Sequence, residues 1–200
     1  MNLPIKLTVS RFVLTAVFLW AIFWPTPVPF RYTIALVLFS VASFTDFLDG
    51  RIARSRNLIT NFGKLMDPLA DKILTCSAFI AFVESTHLNA NAPVKLAAWM
   101  VVIIVARELA ITGLRLLAAS KNILLAAERY GKHKTVSQIL AIISLLVLDA
   151  LNEWPVWLQK VFQGWSPMFT EIMLWITVVL TAMSGIIYLW RNRALYLEDM

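Results

Sequence analysis

The stretch YTIALVLFSVASFTDFLD, residues 32–49, is an apolar run that ends in two carboxylates, Asp46 and Asp49. A helix needs about 20 residues to cross the hydrocarbon core of a bilayer, and this run approaches that length. The next apolar run, residues 67–83, begins with the mirror arrangement, because Asp67 and Asp71 open it. The sequence therefore predicts two consecutive membrane helices whose connected ends carry four carboxylates.

The sequence contains six apolar runs, at residues 7–24, 32–49, 67–83, 96–117, 136–151 and 168–190. Sixty per cent of the residues are hydrophobic, only 15% are charged, and the mean hydropathy is +0.73. Soluble domains carry about 25% charged residues, and one of this size could not bury so much apolar surface. A single cysteine, Cys76, excludes a disulfide scaffold. We expect residues 1–200 to form one all-α integral membrane domain with six transmembrane helices.

The basic residues divide unevenly between the two sides of these predicted spans. One side carries thirteen, namely Lys6, Arg11, Arg51, Arg54, Arg56, Lys64, Arg115, Lys121, Arg129, Lys132, Lys134, Arg191 and Arg193. The other side carries three, Arg31, Lys95 and Lys160. Because the cytoplasmic side collects positive charge, we expect both termini there. The net charge of +6 is then explained by membrane orientation rather than by nucleic-acid binding.

The N-terminus carries a short apolar segment around a basic residue. Leu3, Ile5 and Leu7 lie beside Lys6, a pattern typical of a segment at the inner membrane interface. We expect such a segment before the first span.

The spacing of the four aspartates indicates a metal site. Asp49 is three positions after Asp46, and Asp71 is four positions after Asp67, so each pair shares one helix face. Four adjacent carboxylates cannot all ionise without cations, and oxygen ligands favour Mg²⁺ or Mn²⁺. We expect two ions. The alternative is that the aspartates are interfacial caps paired with neighbouring basic residues, but two facing pairs at membrane depth argue against it.

The full pattern is Asp46-x2-Asp49-Gly50-x2-Ala53-Arg54-x8-Gly63-x3-Asp67-x3-Asp71. It resembles the signature of the CDP-alcohol phosphotransferase family at every defining position. This resemblance implies a six-helix membrane enzyme, commonly a homodimer, that uses two divalent cations. Such an enzyme joins a CDP-linked lipid to an alcohol and releases CMP.

The resemblance also implies roles for individual residues. Asp46, Asp49, Asp67 and Asp71 would hold the metals, and Asp71 would take the proton from the attacking hydroxyl. The residues implied to contact the CDP-lipid are Gly50, Ala53, Arg54, Thr60 and Gly63.

A second polar cluster interrupts the fourth run, where Arg107 and Glu108 must face a cavity or the bundle interior. Glu108 and Arg115 are seven residues apart and share a face, so an internal ion pair is one interpretation. Lys132 and Lys134 open the fifth helix. By composition alone they would be membrane-surface anchors.

Three stretches resemble the phosphatidylglycerophosphate synthases within this family. They are Asn2-Leu3-Pro4-Ile5-Lys6-Leu7-Thr8-x2-Arg11, Arg107-Glu108-x4-Gly113-Leu114-Arg115 and Gly131-Lys132-His133-Lys134-Thr135-x2-Gln138. The resemblance implies CDP-diacylglycerol as donor and sn-glycerol 3-phosphate as acceptor. The acceptor phosphate would be bound by Arg107, Arg115, Lys132 and Lys134.

Part of the chain departs from that resemblance or adds nothing to it. Ile5 stands where those enzymes usually carry Asn, and the last two apolar runs are uninformative. In those runs Gly185 is interpreted only as permitting close helix packing.

Three alternatives to this function stay open at this point. Within the family, a cardiolipin synthase would use phosphatidylglycerol as acceptor, and an enzyme that uses an inositol phosphate would need similar basic residues. From a different class, a divalent-cation transporter also places carboxylates inside a helical bundle. If the chain is instead the enzyme that uses sn-glycerol 3-phosphate, we expect it to lie in the bacterial inner membrane with its active site on the cytoplasmic side.

Overall fold

The structure is a computed structural model. It describes all residues except 1–2, 25–28, 57–60, 89–91, 122, 124–129 and 198–200. For residues 3–8, 46–56, 61–71, 87–88, 130–132, 194 and 197 it describes the backbone alone.

The described residues are helical and contain no strand. The long helices are α1 (Leu3–Phe23), α2 (Arg31–Arg56), α3 (Asn61–Leu88), α4 (Ala98–Ser120), α5 (Tyr130–Ala150) and α7 (Ser166–Arg191). The shorter elements are a 3₁₀ turn (Leu151–Glu153), α6 (Val156–Gln163) and α8 (Ala194–Leu197). Each of the six predicted apolar runs coincides with one long helix, so the all-α prediction is confirmed.

Two helical stretches in the described part of the chain are long and apolar enough to cross a membrane, His133–Glu153 and Ser166–Arg191. Shorter apolar stretches occupy Val9–Phe23 and Arg31–Thr45. Helix α4 carries Arg107, Glu108 and Arg115 within its 23 residues, which lowers its hydropathy. These features favour a membrane protein, and the arrangement of six spans stays a prediction.

Helix α3 begins at Asn61, seven residues before Pro68, so Gly63 also belongs to this helix. At the N-terminus, α1 runs from Leu3 without interruption. Leu3, Ile5 and Leu7 are therefore continuous with the helix of the first apolar run, and their position at the membrane interface stays a prediction.

Packing centres on α1, α3 and α5. Helix α1 packs against α2 and α3, α5 packs against α2, α3 and α7, and α4 packs against α3 and α7. The core is aromatic and aliphatic: the Phe18 and Phe39 rings lie 5.7 Å apart, and Phe79, Phe82 and Ile142 are fully buried around them. Burial of one such side chain contributes about 1.5–3 kcal/mol, and these residues hold α1, α2, α3 and α5 together.

The N-terminal end of α2 is fixed by a side chain distant in sequence. The carboxylate of Glu153 accepts hydrogen bonds from the backbone N–H groups of Tyr32 and Thr33, both at 2.9 Å, and from the Thr33 hydroxyl at 2.7 Å. The Trp154 indole N–H also donates to Thr33 Oγ1. The first N–H groups of a helix have no partner within the helix, so Glu153 both satisfies them and ties α2 to the end of α5.

Candidate active site

The four aspartates lie on two consecutive helices. Asp46 and Asp49 lie in the C-terminal half of α2, and Asp67 and Asp71 lie near the beginning of α3. Because both segments are helical, each pair shares one face at the level of the backbone. Their side chains lie outside the described residues. The metal assignment therefore stays a prediction.

The candidate CDP-lipid residues follow the same division. Gly50, Ala53 and Arg54 continue α2 and Gly63 lies in the first turn of α3, whereas Thr60 falls outside the described residues. The backbone thus brings these positions to the ends of α2 and α3 that the short connection 57–60 joins.

Next to these positions, a buried carboxylate collects three cations from three helices. Glu108 on α4 has a side chain only 2% exposed. Its Oε1 accepts hydrogen bonds from Lys134 Nζ and, at 3.2 Å, from Gln138 Nε2. Lys72 Nζ lies 3.0 Å from its Oε2, and Arg107 Nη1 lies 3.6 Å from its Oε1. We call these five residues the Glu108 cluster.

The local sequence explains why the cluster assembles. Lys134 and Gln138 are four residues apart on α5, so both side chains face the same neighbour. A charge buried in a low-dielectric bundle is stable only when it is paired and hydrogen-bonded, and this face of α5 supplies both kinds of contact. Lys72 directly follows Asp71. The cluster therefore reaches α3 beside the candidate base.

The arginine farther along α4 has a different environment. Arg115 Nε donates a hydrogen bond to the Tyr188 hydroxyl at 3.3 Å, and its guanidinium lies 5.7 Å from the centre of that ring. Tyr188 is almost fully buried on α7. The interpretation that Glu108 pairs with Arg115 is therefore wrong, because Glu108 is directed toward α5 and α3, while Arg115 lies where α7 packs on α4.

The family model described as CDP-alcohol phosphatidyltransferase matches residues 1–183. The chain belongs to this family. The resemblance drawn from the aspartate pattern is thus confirmed, and the protein is a phosphatidyltransferase.

Individual relatives of this family member match over nearly their whole length. A CDP-diacylglycerol–glycerol-3-phosphate 3-phosphatidyltransferase of Bacillus subtilis (strain 168) is 38% identical, with 96% of this chain and 95% of the relative covered. The protein of the same name from Rickettsia felis is 34% identical, with coverages of 94% and 93%. That from Haemophilus influenzae is 31% identical, with coverages of 100% and 97%.

Enzymes of the CDP-alcohol phosphatidyltransferase family use divalent metal ions. Four carboxylates on α2 and α3 supply the oxygen donors that hard divalent cations prefer. The donor chemistry of this chain therefore fits the metal requirement of its family.

The second predicted group, the acceptor residues, is only partly brought together. Arg107 and Lys134 meet on Glu108, and Arg115 lies two turns along α4 from Glu108. The side chain of Lys132 lies outside the described residues. Lys134 is 2% exposed, so the interpretation of this lysine as a membrane-surface anchor is wrong.

Three contributors to the site were missed or undervalued at the level of sequence. Lys72 was assigned no part in the site, although it follows Asp71 directly, which was the available signal. Tyr188 lies near the C-terminal end of α7, where a buried hydroxyl needs a partner. Glu108 was regarded as one half of an ion pair, whereas it organises four side chains.

Proposed function

We propose that this enzyme transfers the phosphatidyl group of CDP-diacylglycerol to sn-glycerol 3-phosphate and thereby produces phosphatidylglycerophosphate and CMP. The observation that carries the proposal is the Glu108 cluster, which sets three cations around one buried carboxylate next to Asp71. The names of the relatives in three bacteria support the same reaction.

The charge of the cluster favours a phosphorylated acceptor. Among its described side chains, three positive charges stand against one negative charge. A phosphate monoester carries about −1.5 to −2 charges at neutral pH and would complement this excess. An acceptor without phosphate, such as serine, would leave the cations unbalanced.

The cluster residues act in different ways on such a phosphate. Arg107 offers a planar fork that binds two phosphate oxygens at once. The Lys134 ammonium has three N–H donors, so it can hold Glu108 with one and the phosphate with another. Arg115 and Lys132 complete the proposed set, with Arg115 held by Tyr188.

The donor would bind at the ends of α2 and α3. Gly50, Ala53, Arg54, Thr60 and Gly63 are proposed to contact the CDP moiety, with room for cytidine above the two small residues of α2. Asp46, Asp49, Asp67 and Asp71 are proposed to hold two Mg²⁺ or Mn²⁺ ions. When bound, such ions neutralise the diphosphate and stabilise the charge that develops on the leaving group.

The proposed reaction is one displacement at phosphorus. Asp71 accepts the proton of the glycerol 1-hydroxyl, and the resulting oxygen forms a bond to the phosphorus that carries diacylglycerol. The bond from that phosphorus to the bridging oxygen breaks, and CMP leaves with the bridging oxygen. The Glu108 cluster positions the acceptor by its phosphate while the bond forms.

The membrane arrangement is part of the proposal. The six long helices would span the inner membrane of a bacterium, with both termini and the active site on the cytoplasmic side. Residues 1–200 would act as one domain, and two copies would form a homodimer. The large exposed apolar side chains of α7, such as Trp175, Ile186 and Trp190, are consistent with contact with lipid or a second copy.

The experiment is CMP release by purified protein in lipid nanodiscs containing CDP-diacylglycerol. Glycerol 3-phosphate, phosphatidylglycerol, an inositol phosphate and serine are compared as acceptors, with Mg²⁺ or Mn²⁺ present or chelated. We expect turnover with glycerol 3-phosphate that stops on chelation. Turnover with another acceptor but not with glycerol 3-phosphate would contradict the proposal.

A matched pair of variants tests the base. Asp71→Asn is expected to lower turnover by at least about 100-fold while the protein still folds. Glu84→Gln is the control, because Glu84 is exposed on the same helix thirteen residues farther on, about 20 Å away at 1.5 Å per residue. Near-normal turnover of Asp71→Asn would remove Asp71 as the base.

A further inference from the structure

Helix α7 packs on α4 with a glycine facing Arg107. Gly185 is buried, and a Cβ atom built on it would lie 2.8 Å from Arg107 Cγ, 3.7 Å from Arg107 Cβ and 4.0 Å from Arg107 Cδ. Cβ contacts under 3.0 Å essentially never occur. The aliphatic part of the Arg107 side chain thus occupies the space that any other residue at position 185 would fill.

The contacted atom decides what a larger residue would do. Cγ is only two bonds from the α4 backbone, so it cannot move aside as the free end of a long side chain could. A methyl group at position 185 would require a change in the first side-chain torsions of Arg107. The guanidinium, whose Nη1 lies 3.6 Å from Glu108 Oε1, would then be displaced.

The neighbours of Gly185 show that the close approach is built into α7. Thr181 and Ser184 are small and buried, and Tyr188 holds Arg115 one turn farther on. These small residues allow α7 to approach α4, and at position 185 the approach meets Arg107.

We propose that Gly185 is a positioning residue of the acceptor site: its missing side chain leaves the path along which Arg107 reaches the Glu108 cluster. The inference rests on the proposed function, because Arg107 binds the acceptor phosphate in that function. It goes beyond helix packing, since it assigns to α7 a part in recognising the acceptor.

The test is a double-mutant cycle with Gly185→Ala, Arg107→Ala and the double variant, each in nanodiscs. The KM for glycerol 3-phosphate, the KM for CDP-diacylglycerol and the apparent unfolding temperature are measured. Gly164→Ala is the matched control, because a Cβ on Gly164 meets nothing within 4 Å and its backbone is helical.

We expect Gly185→Ala to raise the KM for glycerol 3-phosphate about 10-fold or more, because small displacements of a positioning group have large effects. The KM for CDP-diacylglycerol should stay within about twofold of wild type. In the Arg107→Ala background the clash is gone, so Gly185→Ala should lower neither acceptor affinity nor unfolding temperature further.

An equal loss from Gly185→Ala in both backgrounds would overturn the proposal, since it would show that the glycine serves only helix packing. An unchanged KM for glycerol 3-phosphate in Gly185→Ala would overturn it as well. If Gly185→Ala alone does not accumulate, the proposal requires the double variant to accumulate normally, and equal failure of both would refute it. Failure of the proposed function is a separate result: Arg107→Ala would then leave the KM for glycerol 3-phosphate unchanged.

Discussion

Glu108 on α4 and Lys134 on α5 form an ion pair in which each side chain is only 2% exposed. Lys72 from α3, Gln138 from α5 and Arg107 on α4 also contact the carboxylate. One buried anion thus joins three helices at the place where the candidate base, Asp71, lies on α3. The Glu108 cluster therefore links α3, α4 and α5, and in the proposed function it also binds the acceptor phosphate.

The first prediction concerns the carboxylate itself. Glu108→Gln keeps the shape of the side chain but removes its charge, which leaves Lys134 buried without a counter-charge. Breaking a buried ion pair from one side costs about 3–5 kcal/mol, so the apparent unfolding temperature in detergent should fall clearly. Glu84→Gln on the exposed face of α3 should leave the unfolding temperature unchanged. Equal unfolding temperatures for the two variants would contradict the claim that Glu108 stabilises the packing of the three helices.

A second prediction concerns the N-terminal end of α2. Glu153→Ala removes the acceptor for the N–H groups of Tyr32 and Thr33 and should destabilise the protein by about 0.5–2 kcal/mol. Tyr32 lies fourteen residues before Asp46, about 21 Å along the helix, so both KM values should remain those of the wild type. Asn152→Ala, at an exposed neighbouring position, serves as control. A changed KM for glycerol 3-phosphate would show that this end is coupled to the site.

The third prediction concerns Arg115 on α4 and its partner Tyr188 on α7. Tyr188→Phe keeps the ring that packs beneath Arg115 but removes the hydroxyl that accepts its hydrogen bond. A hydrogen bond of this kind contributes about 0.5–1.5 kcal/mol, which corresponds to a rise of about twofold to tenfold in the KM for glycerol 3-phosphate. Tyr196→Phe removes a hydrogen bond to the Leu189 carbonyl instead and should not change that KM. A similar effect from both variants would show that Tyr188 acts on stability rather than on Arg115.

The sequence was sufficient for the helices and for the family. Runs of apolar residues near the length of a membrane span predict helices directly. The aspartate spacing within residues 46–71 is a local pattern, so it can be recognised without knowledge of tertiary contacts. The partner of Glu108 was not accessible in this way. A shared helix face suggested Arg115 as the partner of Glu108. The partners in the structure come instead from α3 and α5, which are distant from Glu108 in sequence.

Helix α7 illustrates the same limit from the other side. Its sequence is apolar and carries little chemical signal, so Gly185 was interpreted as a packing residue and Tyr188 was passed over. Their importance depends on what α4 places opposite them, namely Arg107 and Arg115. A residue that acts by leaving space has no signature in its own sequence neighbourhood.

The fourth and most direct test is the effect of Arg107→Ala on the two Michaelis constants, measured in one nanodisc preparation with CMP release as the readout. The account predicts a rise of about 10- to 100-fold in the KM for glycerol 3-phosphate, the loss expected for a charge-assisted phosphate contact, with the KM for CDP-diacylglycerol unchanged. A normal KM for glycerol 3-phosphate, or a defect confined to CDP-diacylglycerol, would contradict the claim that the Glu108 cluster binds the acceptor.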